Sequence, residues 1–185
     1  MSDGLSIAAA LIALAGFFAV TRKPQVDTPA ALNLDVVFRT AANRTGIDWR
    51  LLKAVARRES ALNSNAFNAE PGHAASSYGL MQIFCPSRKF LEGWATDRPA
   101  DGGCDALFDP NVNARFGSGI LAWNLQRYGF PRGVSIYNNW SQRHRPSAGP
   151  FDNQGYVDDV IAFYIAEGGD PDELRRRYGA GSRGE

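Results

Sequence analysis

The sequence has 185 residues, of which 44% are hydrophobic and 21% are charged, and its formal net charge is +1. This length fits one domain of ordinary size with an extension, and the composition excludes a wholly disordered chain. Because a charge near zero gives no global basic field, we expect no nucleic-acid partner.

The N-terminal segment contains an uncharged apolar run over residues 5–20. As a helix this run would span about 24 Å, which is somewhat less than the ~30 Å core of a bilayer. We predict a membrane anchor over residues 1–22; a cleaved signal peptide and a buried core helix are the alternatives. The residues before the run carry no Lys or Arg, unlike a typical signal peptide, and this favours a retained anchor.

The remaining chain divides into a linker, one domain and a short tail. Residues 23–31 contain two prolines and no periodicity, which predicts an extended linker. Residues 32–179 form the predicted domain, and residues 180–185 form a flexible tail. The domain begins with a helical apolar period over residues 32–44, which ends before Gly46.

Glu59 lies on the second predicted helix, for which Asp48 is the N-cap. Four residues follow the helical spacing i, i+3, i+4 and i+7 and share one face: Leu52, Val55, Ala56 and Glu59. Burial on that face would raise the pKa of the carboxyl group, and a protonated carboxylic acid can donate to a glycosidic oxygen. Taken alone, this stretch also fits a glutamate that bonds backbone or a neighbouring arginine.

The chain after this helix alternates loops and helices. Polar loops are predicted over residues 63–77 and before Asp109, around a short apolar stretch at 79–84. Asp109-Pro110 begins a helix that runs to Tyr128, and its predicted inward residues are Phe116, Ile120, Trp123 and Leu125. A short helix at 133–140, a loop at 142–150 and helices at 156–166 and 171–178 complete a mainly α domain with at most a small β element.

The sequence has two cysteines, Cys85 and Cys104. A disulfide would close a loop of about 20 residues and contribute roughly 3 kcal/mol. The alternative is a pair of free thiols, and a disulfide is favoured if the domain reaches an oxidising compartment. Two thiols do not complete a zinc site, and His73 and His144 lack a recognised ligand spacing, so we expect no metal and no cofactor.

Four motifs occur in order between about Leu32 and Ala166: Glu59-Ser60, Ser77-Tyr-Gly-Leu-Met-Gln-Ile83, Ile136-Tyr-Asn-Asn139 and Gly155-Tyr-Val157. Together they resemble the lytic transglycosylases of the soluble (Slt) type, which are bacterial and phage relatives of goose-type lysozyme. The resemblance implies an α+β lysozyme-like fold with an active-site cleft. It also implies that the partner is a peptidoglycan glycan strand.

The resemblance assigns Glu59 the role of single acid and base. Glu59 would protonate the oxygen leaving N-acetylmuramic acid and then accept the proton of the C6 hydroxyl, which closes a 1,6-anhydro ring. Tyr137 would hydrogen-bond Glu59, and Gly79 would allow close approach to the sugar. The residues expected to contact substrate are Ser60, Gly79, Gln82, Phe84, Tyr137, Asn138 and Tyr156.

The chain departs from the family pattern near two of these positions. Phe84 stands where methionine is frequent, and Asn139-Trp140 stands where glycine commonly follows. Two alternatives therefore stay open, a goose-type muramidase that uses water and a wall-binding module without turnover. The expected location is a single membrane span with the domain in the periplasm. A virion membrane, or a larger envelope-spanning or virion assembly, is the alternative setting.

Overall fold

A computed structural model of the chain describes residues 32–69, 76–85, 103–146 and 148–179. The predicted anchor, the linker and the tail lie outside these ranges. Within them, no helix combines the length and apolar character needed to cross a membrane.

The described part of the chain contains six α-helices, two 3₁₀ helices and three short strands. The α-helices are α1 (Leu34–Thr45), α2 (Trp49–Ser60), α3 (Pro110–Tyr128), α4 (Arg132–Asn138), α5 (Gln154–Ala166) and α6 (Pro171–Tyr178). The 3₁₀ helices are Gly103–Phe108 and Trp140–His144, and the strands are β1 (Phe67–Ala69), β2 (Ser76–Tyr78) and β3 (Ile83–Cys85). The predicted loop at 142–150 thus begins inside a 3₁₀ helix.

Side-chain caps set the starts of the long helices. The Asp48 carboxylate accepts from the Arg50 backbone N–H at the start of α2. Asp109 does the same for Asn111 and Val112 at the start of α3, where Pro110 needs no N–H partner. Both predicted N-caps are confirmed.

The core forms where α3 packs against α1 and α4, and where α2 packs against α5. Its fully buried side chains include Phe38, Leu52, Val55, Leu121 and Leu125. The prediction that Trp123 faces inward is wrong, because its side chain is 38% exposed. Trp123 is two residues from both Leu121 and Leu125, and two helical residues correspond to a rotation of about 200°, so Trp123 points away from the side on which these leucines are buried.

The three strands form one antiparallel sheet in the order β1-β2-β3. Phe67 pairs with Tyr78, and Tyr78 pairs with Ile83 across the tight turn at residues 79–82. The predicted polar loop at 63–77 therefore contains β1 and most of β2. Strands of three residues are too short to show an alternating pattern, which explains why the sequence did not reveal them.

Candidate active site

Glu59 occupies the last turn of α2, beside the N-terminal turn of α5. The Tyr156 hydroxyl donates to Glu59 Oε1 over 2.6 Å. Burial raises the pKa of Glu59 to about 7, while the Tyr156 hydrogen bond and the Arg58 charge lower it. The predicted inward face of α2 thus holds a carboxyl group that keeps its proton near neutral pH.

The two candidate tyrosines differ from their expected roles. Tyr156, whose side chain is buried, bonds the glutamate, whereas the Tyr137 hydroxyl donates to the Met81 carbonyl over 2.8 Å. The expectation that Tyr137 bonds Glu59 is therefore wrong. Burial, and next the charge of Glu59, raise the pKa of both phenols well above its usual value, so both remain hydrogen-bond donors.

The turn at residues 79–82 is attached to the helices on either side of it. The Ser60 hydroxyl, which has a single hydrogen, donates to the Leu80 carbonyl over 2.7 Å, and its oxygen also lies 3.1 Å from the Ala56 carbonyl oxygen. Tyr137 holds the next carbonyl, that of Met81. The Ser60 hydroxyl thus ties this turn to α2, the helix that carries Glu59, and its contact with substrate stays a prediction.

Asn113 on α3 is the main residue that the sequence analysis missed. Its side chain is fully buried; Nδ2 donates to the Tyr78 and Leu107 carbonyls over 2.7 and 2.8 Å. Its Oδ1 accepts from the Met81 N–H over 2.8 Å. The sequence offers a signal for this residue. Asn113 lies three residues after Pro110, on the side of the helix where apolar residues are expected, so a polar residue there indicates a buried hydrogen-bonding role.

The conformation and the neighbours of Gly79 both require glycine at this position. It has a positive φ of 71°, and a Cβ at this position would lie 2.3 Å from the Leu107 carbonyl oxygen and 2.4 Å from Asn113 Nδ2. Glycine is thus required by the approach of Asn113 and by the backbone conformation. That Gly79 also allows close approach to the sugar stays a prediction.

Gln82 closes the same turn with its own amide. Its φ is 46°, and Nε2 donates to the Gly79 and Ala66 carbonyls over 2.9 and 3.3 Å. Because these bonds use both amide hydrogens, a sugar hydroxyl or amide would meet the Oε1 acceptor. Gln82 was expected to offer the sugar both a donor and an acceptor, and in this conformation it offers only the acceptor.

Phe84 and Asn138 are the two remaining residues that were expected to contact substrate. Phe84 on β3 pairs with Ser77 on β2, and it is 37% exposed. Asn138, at the end of α4, accepts from Asn153 Nδ2 over 3.0 Å, and Asn153 Nδ2 also donates to the Ser135 carbonyl. The described hydrogen bonds of Asn138 therefore connect α4 with the start of α5.

Arg58 is a second residue that the sequence analysis did not select. Its Nε donates to Asp159 Oδ2 over 2.9 Å, and its guanidinium lies 5.5 Å from the Tyr156 ring centroid. This ion pair joins α2 to α5 next to the Glu59–Tyr156 bond. Its positive charge lowers the pKa of Glu59.

Cys85 and Cys104 form a disulfide with a sequence separation of 19. The bond joins the end of β3 to the 3₁₀ helix before α3. Over the parts of the chain described, no group of three or more His, Cys, Asp or Glu side chains could hold a metal ion.

This geometry places one carboxyl group, whose pKa is raised by burial and which is held by a tyrosine, next to a turn whose backbone is bonded by three side chains. Residues 36–149 match the transglycosylase SLT domain family. The match covers more than half of the chain, and the protein belongs to this family. Glu59, the 79–82 turn and Tyr137 fall within the matched region, whereas Tyr156 lies beyond it.

The fold is also similar to a solved structure, the 70 kDa soluble lytic transglycosylase Slt70 from Escherichia coli. The TM-score is 0.59, the sequence identity is 24%, and the similarity covers 79% of this chain. It covers 26% of the Slt70 chain, so the present chain corresponds to about a quarter of that protein. At this identity the likeness establishes the fold.

Proposed function

We propose that the protein is a peptidoglycan lytic transglycosylase that cleaves the β-1,4 bond between N-acetylmuramic acid and N-acetylglucosamine. The observation that carries the proposal is Glu59, whose pKa of about 7 results from burial and whose Oε1 is held by Tyr156. General acid catalysis is most efficient when the pKa of the acid lies near the working pH. Membership of the SLT domain family supports this choice of reaction.

The first step is proton donation by Glu59. Its proton passes to the glycosidic oxygen as the bond from that oxygen to C1 of N-acetylmuramic acid breaks. The fixed turn at 79–82 supports the sugar from one side, and the Gln82 Oε1 is the acceptor available to it. Glu59 is then an anion whose remaining bond to Tyr156 keeps it in place.

The second step uses the same carboxylate as a base. The C6 hydroxyl oxygen of the muramic acid attacks C1, and its proton passes to Glu59, which regenerates the acid. Two-carboxylate glycosidases need a second Asp or Glu at a fixed distance. Among the described residues, neither the bond of Glu59 to Tyr156 nor the bonds of Ser60 and Tyr137 to the 79–82 turn involves a second carboxylate.

Mass spectrometry of muropeptides released from purified sacculi tests the reaction. A lytic transglycosylase gives 1,6-anhydro ends, a goose-type muramidase gives reducing ends, and a binding module releases nothing. Reducing ends as the main product would overturn the proposal in favour of the hydrolase.

Substitution of the acid tests the assignment of the residue. Glu59→Gln keeps the volume and an acceptor for Tyr156 but neither gives nor takes the proton. General acid–base help is typically worth ~10²–10⁴ in rate, and here one residue serves both steps, so we expect a loss at or beyond the upper end. Initial rates of sacculus lysis measure it.

Glu173→Gln on α6 is the matched control, because it removes an exposed glutamate that belongs to none of the four motifs. It should lyse sacculi at nearly the wild-type rate. If Glu59→Gln keeps more than about a tenth of the wild-type rate, which is less than the usual effect of a general acid, Glu59 is not the acid.

We further propose that residues 5–20 anchor the protein in a membrane, so that residues 32–179 act on the periplasmic side. The uncharged apolar run and the location of peptidoglycan support this placement. The alternative setting is a virion membrane, from which the protein would meet the cell wall during entry. The larger partner would be an envelope-spanning or virion assembly. Release of the full chain from membranes by carbonate would contradict the anchor.

A further inference from the structure

Three aromatic side chains meet at the protein surface: Trp123 near the C-terminal end of α3, Tyr128 at its last residue, and Trp140. We call them the aromatic patch. The two tryptophan rings stack with centroids 5.8 Å apart, and Tyr128 lies edge-on to both. Trp123 is 38% and Trp140 47% exposed, although burial of such large rings is favourable. Two adjacent exposed tryptophans are typical of a binding surface.

Three arginines surround the aromatic patch. The guanidinium carbons of Arg127 and Arg132 lie 5.9 and 5.3 Å from the Tyr128 ring centroid, and that of Arg143 lies 5.1 Å from the Trp140 ring centroid. Across the described ranges, none of these three guanidinium groups forms an ion pair with a carboxylate. The exposed Arg175 and Arg176 of α6, in contrast, each pair with an aspartate. The patch thus combines apolar faces with positive charge that is not balanced locally.

The aromatic patch adjoins the candidate active site through the chain. Tyr137 bonds the turn beside Glu59, and Trp140 follows only three residues later. Consecutive Cα atoms are 3.80 Å apart, so the Trp140 backbone lies within about 11 Å of that of Tyr137. A polymer bound beside the segment that carries Tyr137 and Asn138 would therefore need to extend by only a short distance to reach Trp140.

We infer that the aromatic patch and its three arginines form a second contact surface for the same glycan strand that Glu59 cleaves. This inference rests on the proposed function. Sugar rings have apolar faces that pack on exposed tryptophan, and arginine binds carboxylates in a forked geometry. The peptide stems of peptidoglycan carry such carboxylates on alternate sugars. The patch accordingly fits a glycan with acidic side peptides.

A membrane surface is the competing partner, because tryptophan, tyrosine and arginine also favour the lipid interface. The position of the patch favours the glycan. Trp140 lies two residues after Asn138 in the segment that carries Tyr137, at the point where Asn139-Trp140 departs from the family pattern. A lipid contact would not need continuity with the site.

The test measures binding separately from cleavage. In the full chain with Glu59→Gln, we would compare a double variant of the rings, Trp123→Ala with Trp140→Ala, and one of the charges, Arg127→Gln with Arg143→Gln. Arg175→Gln with Arg176→Gln is the control, since it removes the same charge from another exposed surface. Co-sedimentation gives affinity for intact sacculi and for glycan strands freed of their peptides by an amidase. Thermal unfolding verifies the fold of each variant.

We expect the ring variant to bind both materials about tenfold more weakly, as is usual when central aromatic contacts are truncated. The charge variant should bind intact sacculi several-fold more weakly and the peptide-free strands as the parent does. The control should match the parent on both materials. If the ring variant fails to fold, the charge variant alone decides between the outcomes.

Unchanged affinity of both double variants for intact sacculi would overturn the inference. So would a loss that appears only with vesicles of phosphatidylglycerol and phosphatidylcholine, which would assign the patch to a membrane. The proposed function is decided independently by the anhydro ends that the wild-type protein releases. Failure of the patch and failure of the reaction are therefore distinguishable.

Discussion

At the residue scale, the burial that suits Glu59 for proton donation also opposes its ionisation in the folded state. Its pKa is about 7, against an ordinary value of 4.5. The unfolded chain therefore loses this proton first as the pH rises. Below pH 4.5 both states are protonated and no cost arises. Between pH 4.5 and about 7 the folded state loses stability, by about 3 kcal/mol in total at 1.36 kcal/mol per pH unit.

Glu59→Gln removes this cost and should stabilise the protein in a pH-dependent way. Relative to wild type, its free energy of unfolding should rise by about 3 kcal/mol between pH 4 and pH 8. Urea denaturation of both proteins at several pH values measures the difference. A difference that stays constant over this range would show that Glu59 ionises normally in the folded state.

The Tyr156 hydroxyl gives a second residue-scale prediction. Activity requires the protonated acid, so kcat/KM should fall as the pH rises above about 7, the pKa of Glu59. The Tyr156 hydrogen bond lowers that pKa, hence Tyr156→Phe should raise it and move the falling limb to higher pH. The pH profile of sacculus lysis shows the shift. Tyr137→Phe, which removes a bond to Met81 instead, should move the limb less; an equal shift for both would contradict this assignment.

The position of Glu59 on the buried face could be predicted from the sequence, but which tyrosine hydroxyl bonds it could not. Glu59 follows three apolar residues at helical spacing, and this local pattern alone places it on the buried face. Tyr137 and Tyr156 both belong to recognisable motifs. Which hydroxyl reaches the carboxyl group depends on how α4 and α5 pack against α2, and no local pattern records that packing.

At the element scale, α3 supports the turn at residues 79–82. Gly117, in the middle of α3, lets the helix approach Met81: a Cβ at this position would lie 2.3 Å from the Met81 sulfur. One turn earlier, Asn113 holds the Met81 N–H. A mid-helix glycine costs ~1 kcal/mol relative to alanine, and this unfavourable choice is explained by the close contact.

Asn113→Leu tests this support. The change leaves three backbone groups without their partner, those of Tyr78, Met81 and Leu107. Each unpaired buried group costs ~1–3 kcal/mol, so we expect a loss of roughly 3 kcal/mol or more in the free energy of unfolding. Asn113→Ser keeps a polar side chain but should recover little of the lost free energy of unfolding, because the serine hydroxyl is too short to reach all three partners.

Asn124→Leu is the matched control, since Asn124 lies on the same helix and is also buried. Its Oδ1 has no hydrogen-bond partner in the described part of the chain. Denaturation should show a much smaller loss than for Asn113→Leu. Equal losses in the two variants would mean that packing, and not the bonds of Asn113, stabilises the turn.

The helices could be predicted at this scale because their caps and periods are local. Asp48 and Asp109 each mark the start of a helix. Trp123 is the exception, because the apolar residues of α3 are spread over a wide face and do not show which of them point inward. The strands could not be predicted. Three-residue strands are defined by their pairing, such as Phe67 with Tyr78, and pairing partners lie too far apart for a periodicity to show.

At the scale of the whole molecule, the candidate site extends beyond the region that matches the family. The match ends at residue 149, whereas the bond that positions Glu59 comes from Tyr156 on α5. That helix is joined to the rest by Arg58–Asp159 and by Lys53–Glu167, which bridge it and its C-terminal end to α2. The acid on α2 therefore depends on a helix that lies about 100 residues later, since the two share one core.

The disulfide between Cys85 and Cys104 acts on the molecule as a whole, because it restricts the unfolded chain. A closed loop of this length should contribute about 3 kcal/mol in the chain-entropy account. We expect the double variant Cys85→Ser with Cys104→Ser to unfold at a lower denaturant concentration by a corresponding amount. Reductant should bring the wild-type protein to the same midpoint and leave the double variant unchanged. If the wild-type protein unfolds at the same midpoint with and without reductant, while the double variant is less stable, the serines rather than the lost cross-link are the cause.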